Sequence, residues 1–387
     1  MSEQSSRKKV MVASPSCGLL SLPDEVVINC LARVSRLGQA ALSVVSKSYR
    51  SVVVSPELYE TRSRMGLSEE CVYVFLDTPL DTNPRWFILR RGKEESFSNN
   101  RLIPIPSFPT PPAASFVPFG WGIYVIGGMI DAVHTSRVSF LDCRTHKWSH
   151  VPSMGVARAY AKAGVLDGKI YVMGGCEDKD PSNWAEFFDP KMQTWSRLFI
   201  PVPVMDQGIS KVIRRDCWSF NFLTVQGMWN HLNTRDACVV DKLLYCCDIF
   251  GRITWCDPWS GVKKGRMEWN KVYGLDALQG SFHWKSRSIS FGGEMADVWH
   301  CHMLKCGYTN GLQGLLPGFK LTKSGGNIVI FWDLLVEETL QIWCAEISLE
   351  RRDGGQIWGT FQSSDVVLTI DPPLNCFQVL YSVNVNV

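Results

Sequence analysis

One stretch of this chain occurs twice. Ile123-Tyr124-Val125-Ile126-Gly127-Gly128, followed by Phe140, Asp142 and Trp148-Ser149, returns as Ile170-Tyr171-Val172-Met173-Gly174-Gly175, Phe187, Asp189 and Trp195-Ser196. Every matched pair is 47 residues apart. A register held without a gap across a whole unit specifies an array of similar supersecondary units, each unable to bury its apolar face alone.

The residues say what the unit is. Ile-Tyr-Val-Ile is β-branched and aromatic and is ended by a double glycine, which predicts an inner strand followed by a sharp turn. At Gly128 and Gly175 the expectation is a positive φ or a close backbone approach. Phe140-x-Asp142 and Phe187-x-Asp189 are expected to begin the next strand out, Asp142-Cys143 and Asp189-Pro190 to start its turn, and Trp148 or Trp195 to open the outermost strand. Each unit is then a four-stranded antiparallel sheet with large aromatics packed between units, where truncating a tryptophan costs about 3–5 kcal/mol. A period near 50 with this content is that of a kelch blade in a β-propeller.

The rest of the chain supplies further blades. Val72–Leu76 and Trp86–Leu89 make a first one without the double glycine, and Pro104–Pro118 is an extended connection. The clearest repeats are 113–155 and 160–200, after which the register breaks over 201–234. It resumes at Val239–Cys247 with Trp255-Cys256-Asp257, then at Ile289–Gly293 with Val298-Trp299. A last set comprises Gly325-Gly326, Ile328–Trp332, Ile342–Leu349 and Gly354–Trp358. That makes about six blades. Unpaired edges on the terminal blades are unfavourable, so Val366–Ile370 and Phe377–Val383 are expected to pair into the first blade and close the ring.

Several function classes are disfavoured. No run approaches 18 apolar residues and the N-terminus has no apolar h-region, so no membrane span or secretion is expected and the protein is read as intracellular, in the nucleus and/or cytoplasm. The 14 cysteines lie scattered without C-x-x-C pairs, as buried reduced thiols would. His300-Cys301-His302 with Cys306, and Cys246-Cys247, match no zinc spacing, so metal is read as none and cofactors as none. A net charge of +3 does not argue for nucleic acid. No G-x-S-x-G or phosphate loop occurs, and Glu177, Asp178 and Asp180 read as turn residues.

Ahead of the repeats the texture changes. Residues 1–18 are Ser-, Lys- and Arg-rich and expected to be disordered. From Pro23-Asp24-Glu25, the apolar Val26, Val27, Cys30, Leu31 and Val34 recur at helical spacing. A second helix runs through Ala41–Val45, a third covers Ser48–Val54, and Ser55-Pro56 caps a fourth. Leu22 and Ile28 lie off the stripe. From periodicity alone these helices either cap the propeller or offer a partner surface.

Ser21–Val34, followed by Leu42–Ser51, resembles an F-box. The order of F-box, Ser55–Ser63, repeats and Ile342–Glu350 resembles the plant F-box/kelch-repeat family from residue 19 to about 370. The resemblance implies a mainly β kelch propeller (71–387) preceded by a small all-α F-box domain (19–66). It further implies a non-catalytic substrate receptor that binds a Skp-type adaptor, and through it cullin, and presents an unknown target protein for ubiquitination. A kelch scaffold without a ligase is the alternative. An iron-dependent kelch specifier enzyme is disfavoured, since no glutamate here has Asp at both the fourth and eighth following positions. By resemblance the adaptor surface is Leu22, Pro23, Val27, Ile28, Leu31, Val45 and Lys47. Connections after the second and fourth strands of an antiparallel blade share one side, so the target-binding residues are expected among Asp178, Lys179, Asp180, Trp184, Arg214, Arg215 and Trp218.

Overall fold

The computed structural model describes residues 19–77, 84–92, 100–106, 108–177, 180–198, 236–247, 252–257, 269–275, 320–336, 339–370 and 378–387. Their contacts divide them into a helical unit, which ends at Glu69 and includes Val387, and a β unit over Glu70–Asn386. The N-terminal segment 1–18, the segment 201–234, the Ile289–Trp299 blade and the His300–Cys306 cluster lie outside the described residues.

In the helical unit, three serines decide where helices begin. Helix α1 (Asp24–Ala32) starts after Pro23 with Asp24 and Glu25 in its first turn, where negative charge offsets the unpaired N–H groups. Helices α2 (Arg36–Val45), α3 (Lys47–Val53) and α4 (Pro56–Arg64) are each preceded by a serine whose Oγ accepts a first-turn N–H: Ser35 from Gly38, Ser46 from Tyr49, Ser55 from Leu58. Val27, Leu31 and Ala32 of α1 pack on Leu58 of α4. The open carbonyl end of α1 is closed by side chains. Buried Gln39 donates to the Leu31 and Val34 carbonyls, and the buried Arg62 guanidinium donates to the Ala32 and Val34 carbonyls at 2.9 and 2.6 Å.

The β unit begins with β1 (Glu70–Asp77), β2 (Arg85–Arg90) and β3 (Arg101–Pro104). The first repeat follows as β4 (Ser115–Phe119), β5 (Gly122–Ile126), a small hairpin of β6 (Met129–Ile130) and β7 (Val133–His134), β8 (Val138–Asp142) and β9 (Lys147–Val151). The second is β10 (Lys162–Leu166), β11 (Lys169–Met173), β12 (Ala185–Asp189) and β13 (Thr194–Arg197). Next come β14 (Asp236–Val240), β15 (Leu243–Cys247), β16 (Ile253–Cys256) and β17 (Asn270–Tyr273). The chain ends with β18 (Lys320–Ser324), β19 (Asn327–Val336), β20 (Thr339–Arg351), β21 (Ile357–Ile370) and β22 (Gln378–Asn386).

These strands form four-stranded antiparallel groups ordered β4-β5-β8-β9, β10-β11-β12-β13, β14-β15-β16-β17 and β18-β19-β20-β21, the last two joined by a parallel β17–β21 pair. The first group is β22-β1-β2-β3, its inner strand contributed by the C-terminal segment from Glu70↔Asn386 to Asp77↔Gln378. Inner strands stand side by side, β14 with β18, β18 with β22, β22 with β4 and β4 with β10. The apolar cores lie between the groups. Val240, Tyr245 and Val272 meet Ile330, Ile347 and Ile357 in one, and Tyr124, Ile126 and Val138 meet Ile170, Val172 and Phe188 in another.

Three sequence expectations need correction here. Val366–Ile370 does not join the first group: the turn at Arg352–Gln356, with Gly354 and Gly355 both left-handed, sets a long β20–β21 ladder that ends at Leu340↔Ile370 and occupies those backbone groups. Ile123–Ile126 is an inner strand, the second of its sheet, but Phe140-x-Asp142, expected to begin the next strand, instead closes β8, because Asp142 accepts the Arg144 N–H and starts the turn. Trp148 and Trp195 do open the outermost strands but are only half-buried. Their indole N–H groups reach back to the Pro106 and Pro152 carbonyls, at 3.2 and 2.7 Å, so the full cost of a buried aromatic does not apply to them.

The nine described cysteines are free thiols, and six of them are buried. Burial, with Asp257 adding to it, pushes the Cys256 thiol up to about 12, and burial raises Cys344 as well, so neither ionises near neutral pH. Among the described residues no helix is long and apolar enough to cross a membrane.

Candidate functional site

Two surfaces are built well enough to act. On the helical unit, Leu22, Pro23 and Lys47 are exposed and Ile28 is half-buried. Val45 is 70 % exposed beside Val44 at 78 % at the end of α2, and Val26 and Leu37 are also open to solvent. Single exposed apolar residues are ordinary, but this many on a unit of four short helices is not. Val27 and Leu31 leave the expected adaptor set. At 3 % and 1 % exposure they are core, because their i, i+4 spacing turns both toward Leu58.

The second surface lies on one side of the two clear repeats, where the connections after β5, β9 and β11 meet. β5 ends in Gly127 and Gly128, both at positive φ, and the Gly128 N–H donates to the Arg158 carbonyl at 2.8 Å. The β6–β7 hairpin turns at Asp131-Ala132, φ 50° and 61°, the twist a two-residue hairpin needs. Thr135 pairs with Arg158 across the two repeats, and His134 Nε2 lies 3.7 Å from Glu177 Oε1.

Underneath is a buried ion pair. Arg158 and Glu186 are 1 % and 2 % exposed and meet at 3.1 Å. The same guanidinium donates to the carbonyls of Gly174 at 2.7 Å, Trp184 at 3.1 Å and Asn183 at 2.6 Å, and Glu186 accepts the Gly155 and Val156 N–H groups. Nearly every polar atom of the pair is thus matched, which is what makes a buried charge tolerable. The pair holds the 152–161 connection against the 174–184 connection. Sequence reading missed it for a physical reason: the positions 47 residues earlier carry Pro111 and Ser139, so neither partner repeats.

Of the expected target residues, Asp180 is exposed and accepts the Ser182 N–H at 2.8 Å, fixing the turn before Trp184. Trp184 is half-buried against Met173 and Ala185. Asp178, Lys179, Arg214, Arg215 and Trp218 lie outside the described residues. Two side chains were not foreseen. Val133 and Tyr160 on this side are 65 % and 66 % exposed, and Tyr160 has φ 55°. Its repeat counterpart Ala113 has φ 61°, so the backbone requirement belongs to the repeat while the exposed ring belongs to this position. A bulky residue in that region is strained, and such strain concentrates at functional positions.

Comparison with known proteins agrees with this division. A family model described as F-box domain matches residues 19–61, and one described as FKB95, Kelch-repeats domain matches residues 86–310. A putative F-box/kelch-repeat protein of Arabidopsis thaliana is 38 % identical over 402 residues, covering 98 % of this chain and 96 % of the relative. This chain belongs to the F-box/kelch-repeat family. A second Arabidopsis thaliana F-box/kelch-repeat protein is 34 % identical over 407 residues, with 94 % and 93 % of the two chains covered. Among solved structures, the one titled "Structure of YjhT" has a TM-score of 0.32 at 11 % identity over 72 % of this chain and 91 % of that one, too slight a likeness to number blades by. An F-box joined to kelch repeats supports, in general terms, a substrate-adaptor role.

Proposed function

We propose that this F-box/kelch-repeat protein is the substrate-recognition subunit of a Skp–cullin–F-box ubiquitin ligase. The helical unit docks on the Skp-type adaptor and the propeller holds the target. The observation that supports this most is the exposed apolar set Leu22, Val26, Leu37, Val44 and Val45 on a family-matched F-box. No bond chemistry is assigned to the chain. Its contribution is to hold a lysine of the target near a ubiquitin-charged enzyme carried elsewhere in the complex, which raises effective concentration.

Leu22→Ala/Val45→Ala is expected to weaken co-purification with a Skp-type adaptor by tenfold or more, since anchors at an interface centre cost roughly 2 kcal/mol or more on truncation. Both side chains are exposed, so the melting temperature is expected to stay put. Wild-type capture by the double variant removes these residues from the interface.

On the propeller, the target is assigned to the side carrying Val133, Tyr160, Asp180 and Trp184. Tyr160→Asn is expected to leave the fold intact, because asparagine tolerates the left-handed backbone that Tyr160 occupies. It is expected to deplete target proteins recovered by affinity purification with the proteasome inhibited, while adaptor recovery is unchanged. Equal target recovery from both proteins places the target elsewhere.

A further inference from the structure

Helices α1 and α4 start at the same end of the helical unit: Asp24 and Glu57, each in the first turn of its helix, line one pocket of about 440 Å³. Its apolar lining is Val27, Ile28 and Val52, and the remainder is serine. No lining residue is a cation, and among the described residues neither carboxylate makes an ion pair or a side-chain hydrogen bond. The cations of α1, α3 and α4 serve elsewhere. Arg33 donates to the Asn29 carbonyl at 2.6 Å, Arg50 to the Ser43 carbonyl at 3.0 Å and Arg64 to Thr61 Oγ1 at 3.1 Å, while buried Arg62 holds Glu69. Lys47, one turn ahead of Ser51 on α3, is exposed and pairs with neither carboxylate. Glu25 and Glu60, exposed on the same two helices, add to the negative charge. A helix N-terminus carries about half a positive charge, so it tolerates a carboxylate without cancelling it.

The same chain carries a segment that matches. The helical unit begins at Leu19, half-buried against the α1–α4 core, with its carbonyl accepting the Leu22 N–H at 3.2 Å. Residues 1–18 therefore join the unit one short turn before Asp24. They contain Arg7-Lys8-Lys9 followed by Val10-Met11-Val12, and Glu3 is their one carboxylate. Cations suit Asp24 and Glu57, and apolar residues suit Ile28 and Val52. From Lys9 to Leu19 an extended chain reaches about 33 Å, whereas a ten-residue helix such as α2 is about 15 Å long, so the tether spans the unit easily. A segment tethered this closely meets the pocket at an effective concentration on the order of millimolar. A stretch too poor in apolar residues to build a core can still be held by a surface that is already formed.

We propose that Arg7–Val12 of the same chain docks on this pocket, its cations at Asp24 and Glu57 and its apolar residues on Ile28 and Val52. The segment acts as a removable cover. Docking itself does not depend on the ligase reading. Its consequence does: Ile28 belongs to the expected adaptor surface, so on that reading the cover and the Skp-type adaptor compete for one face of α1.

The test is a zero-length carbodiimide cross-link in the full-length chain at micromolar concentration, mapped by mass spectrometry. Such a reagent joins a carboxylate to a lysine amine only where the two touch. Links from Lys8 or Lys9 to Asp24 or Glu57 are expected, at least fivefold more abundant than links to Glu25 or Glu60, which share the tether but do not line the pocket. The Ile28 methyl resonance is expected to shift in Lys8→Gln/Lys9→Gln, two substitutions that leave the Val27, Leu31 and Leu58 core untouched. Equal links to all four carboxylates, an unmoved Ile28 methyl, or links only between labelled and unlabelled copies in a mixture, which assign the pocket to a second copy, overturn the proposal. Lys8→Gln/Lys9→Gln is also expected to bind a purified Skp-type adaptor severalfold more tightly, and equal affinity overturns the competition. A chain that forms the links but binds no adaptor sinks the ligase reading and supports the cover, while one that binds the adaptor without forming them sinks the cover.

Discussion

Arg158→Met is expected to destabilise the β unit by roughly 3–5 kcal/mol, the cost of leaving one member of a buried ion pair without the other. The geometry makes the figure a large one for a single side chain. Glu186 remains 2 % exposed with its charge, and the carbonyls of Gly174, Asn183 and Trp184 lose their donor together. Against a typical total of 5–15 kcal/mol this is a major fraction, so a clear fall in the urea midpoint is expected. Arg158→Met/Glu186→Leu removes both charges and is expected to recover part of the loss, giving a coupling energy that single variants cannot. If Arg158→Met melts like the wild type, the pair is not holding the two connections together. Because those connections carry Tyr160 and Trp184, target capture is expected to fail in this variant before adaptor binding does.

Gly175→Val is the second large effect. Gly175 has φ +67°, and a Cβ there would stand 2.3 Å from the Ala159 carbonyl oxygen and 2.8 Å from the Ala161 nitrogen. Both are backbone atoms that cannot swing away. Gly174 also has φ +67°, yet nothing lies within 4 Å of its Cβ position. The two glycines therefore separate strain from collision. Gly174→Val is expected to cost about 1–3 kcal/mol for the left-handed backbone alone. Gly175→Val adds the collision with the 152–161 connection and is expected to leave little folded protein. Equal stabilities for the two variants, measured by thermal melts, would contradict the close approach seen at Gly175.

What could be read from residues alone follows a physical rule. Local signals survived: the Ile-Tyr-Val strands, the serine cap before α4 and the double glycines are each determined within a few residues. The 47-residue repeat carried that local information to the level of the sheet. The pairing of Gln378–Asn386 into the first group was also legible, because a terminal strand has one unpaired edge to satisfy. Val366–Ile370 was misplaced because its apolar alternation suits either ladder, and the register comes from the turn at Gly354-Gly355 many residues away. Val27 and Leu31 stand on the apolar stripe that helical spacing marked, and it was the family resemblance, not the spacing, that put them on the adaptor surface. Arg158 and Glu186 stayed hidden: charged residues declare nothing about burial until the neighbouring sheet is in place.

In the proposed function the helical unit is an adaptor-binding module. The most direct measurement is to mix the full-length chain with a purified Skp-type adaptor, follow co-elution by size-exclusion chromatography and determine the affinity by calorimetry. A one-to-one complex that includes both chains, with heat lost in Leu22→Ala/Val45→Ala, is the result expected. Separate elution of two folded proteins, with no heat of mixing, would contradict it and leave the chain a kelch scaffold without a ligase.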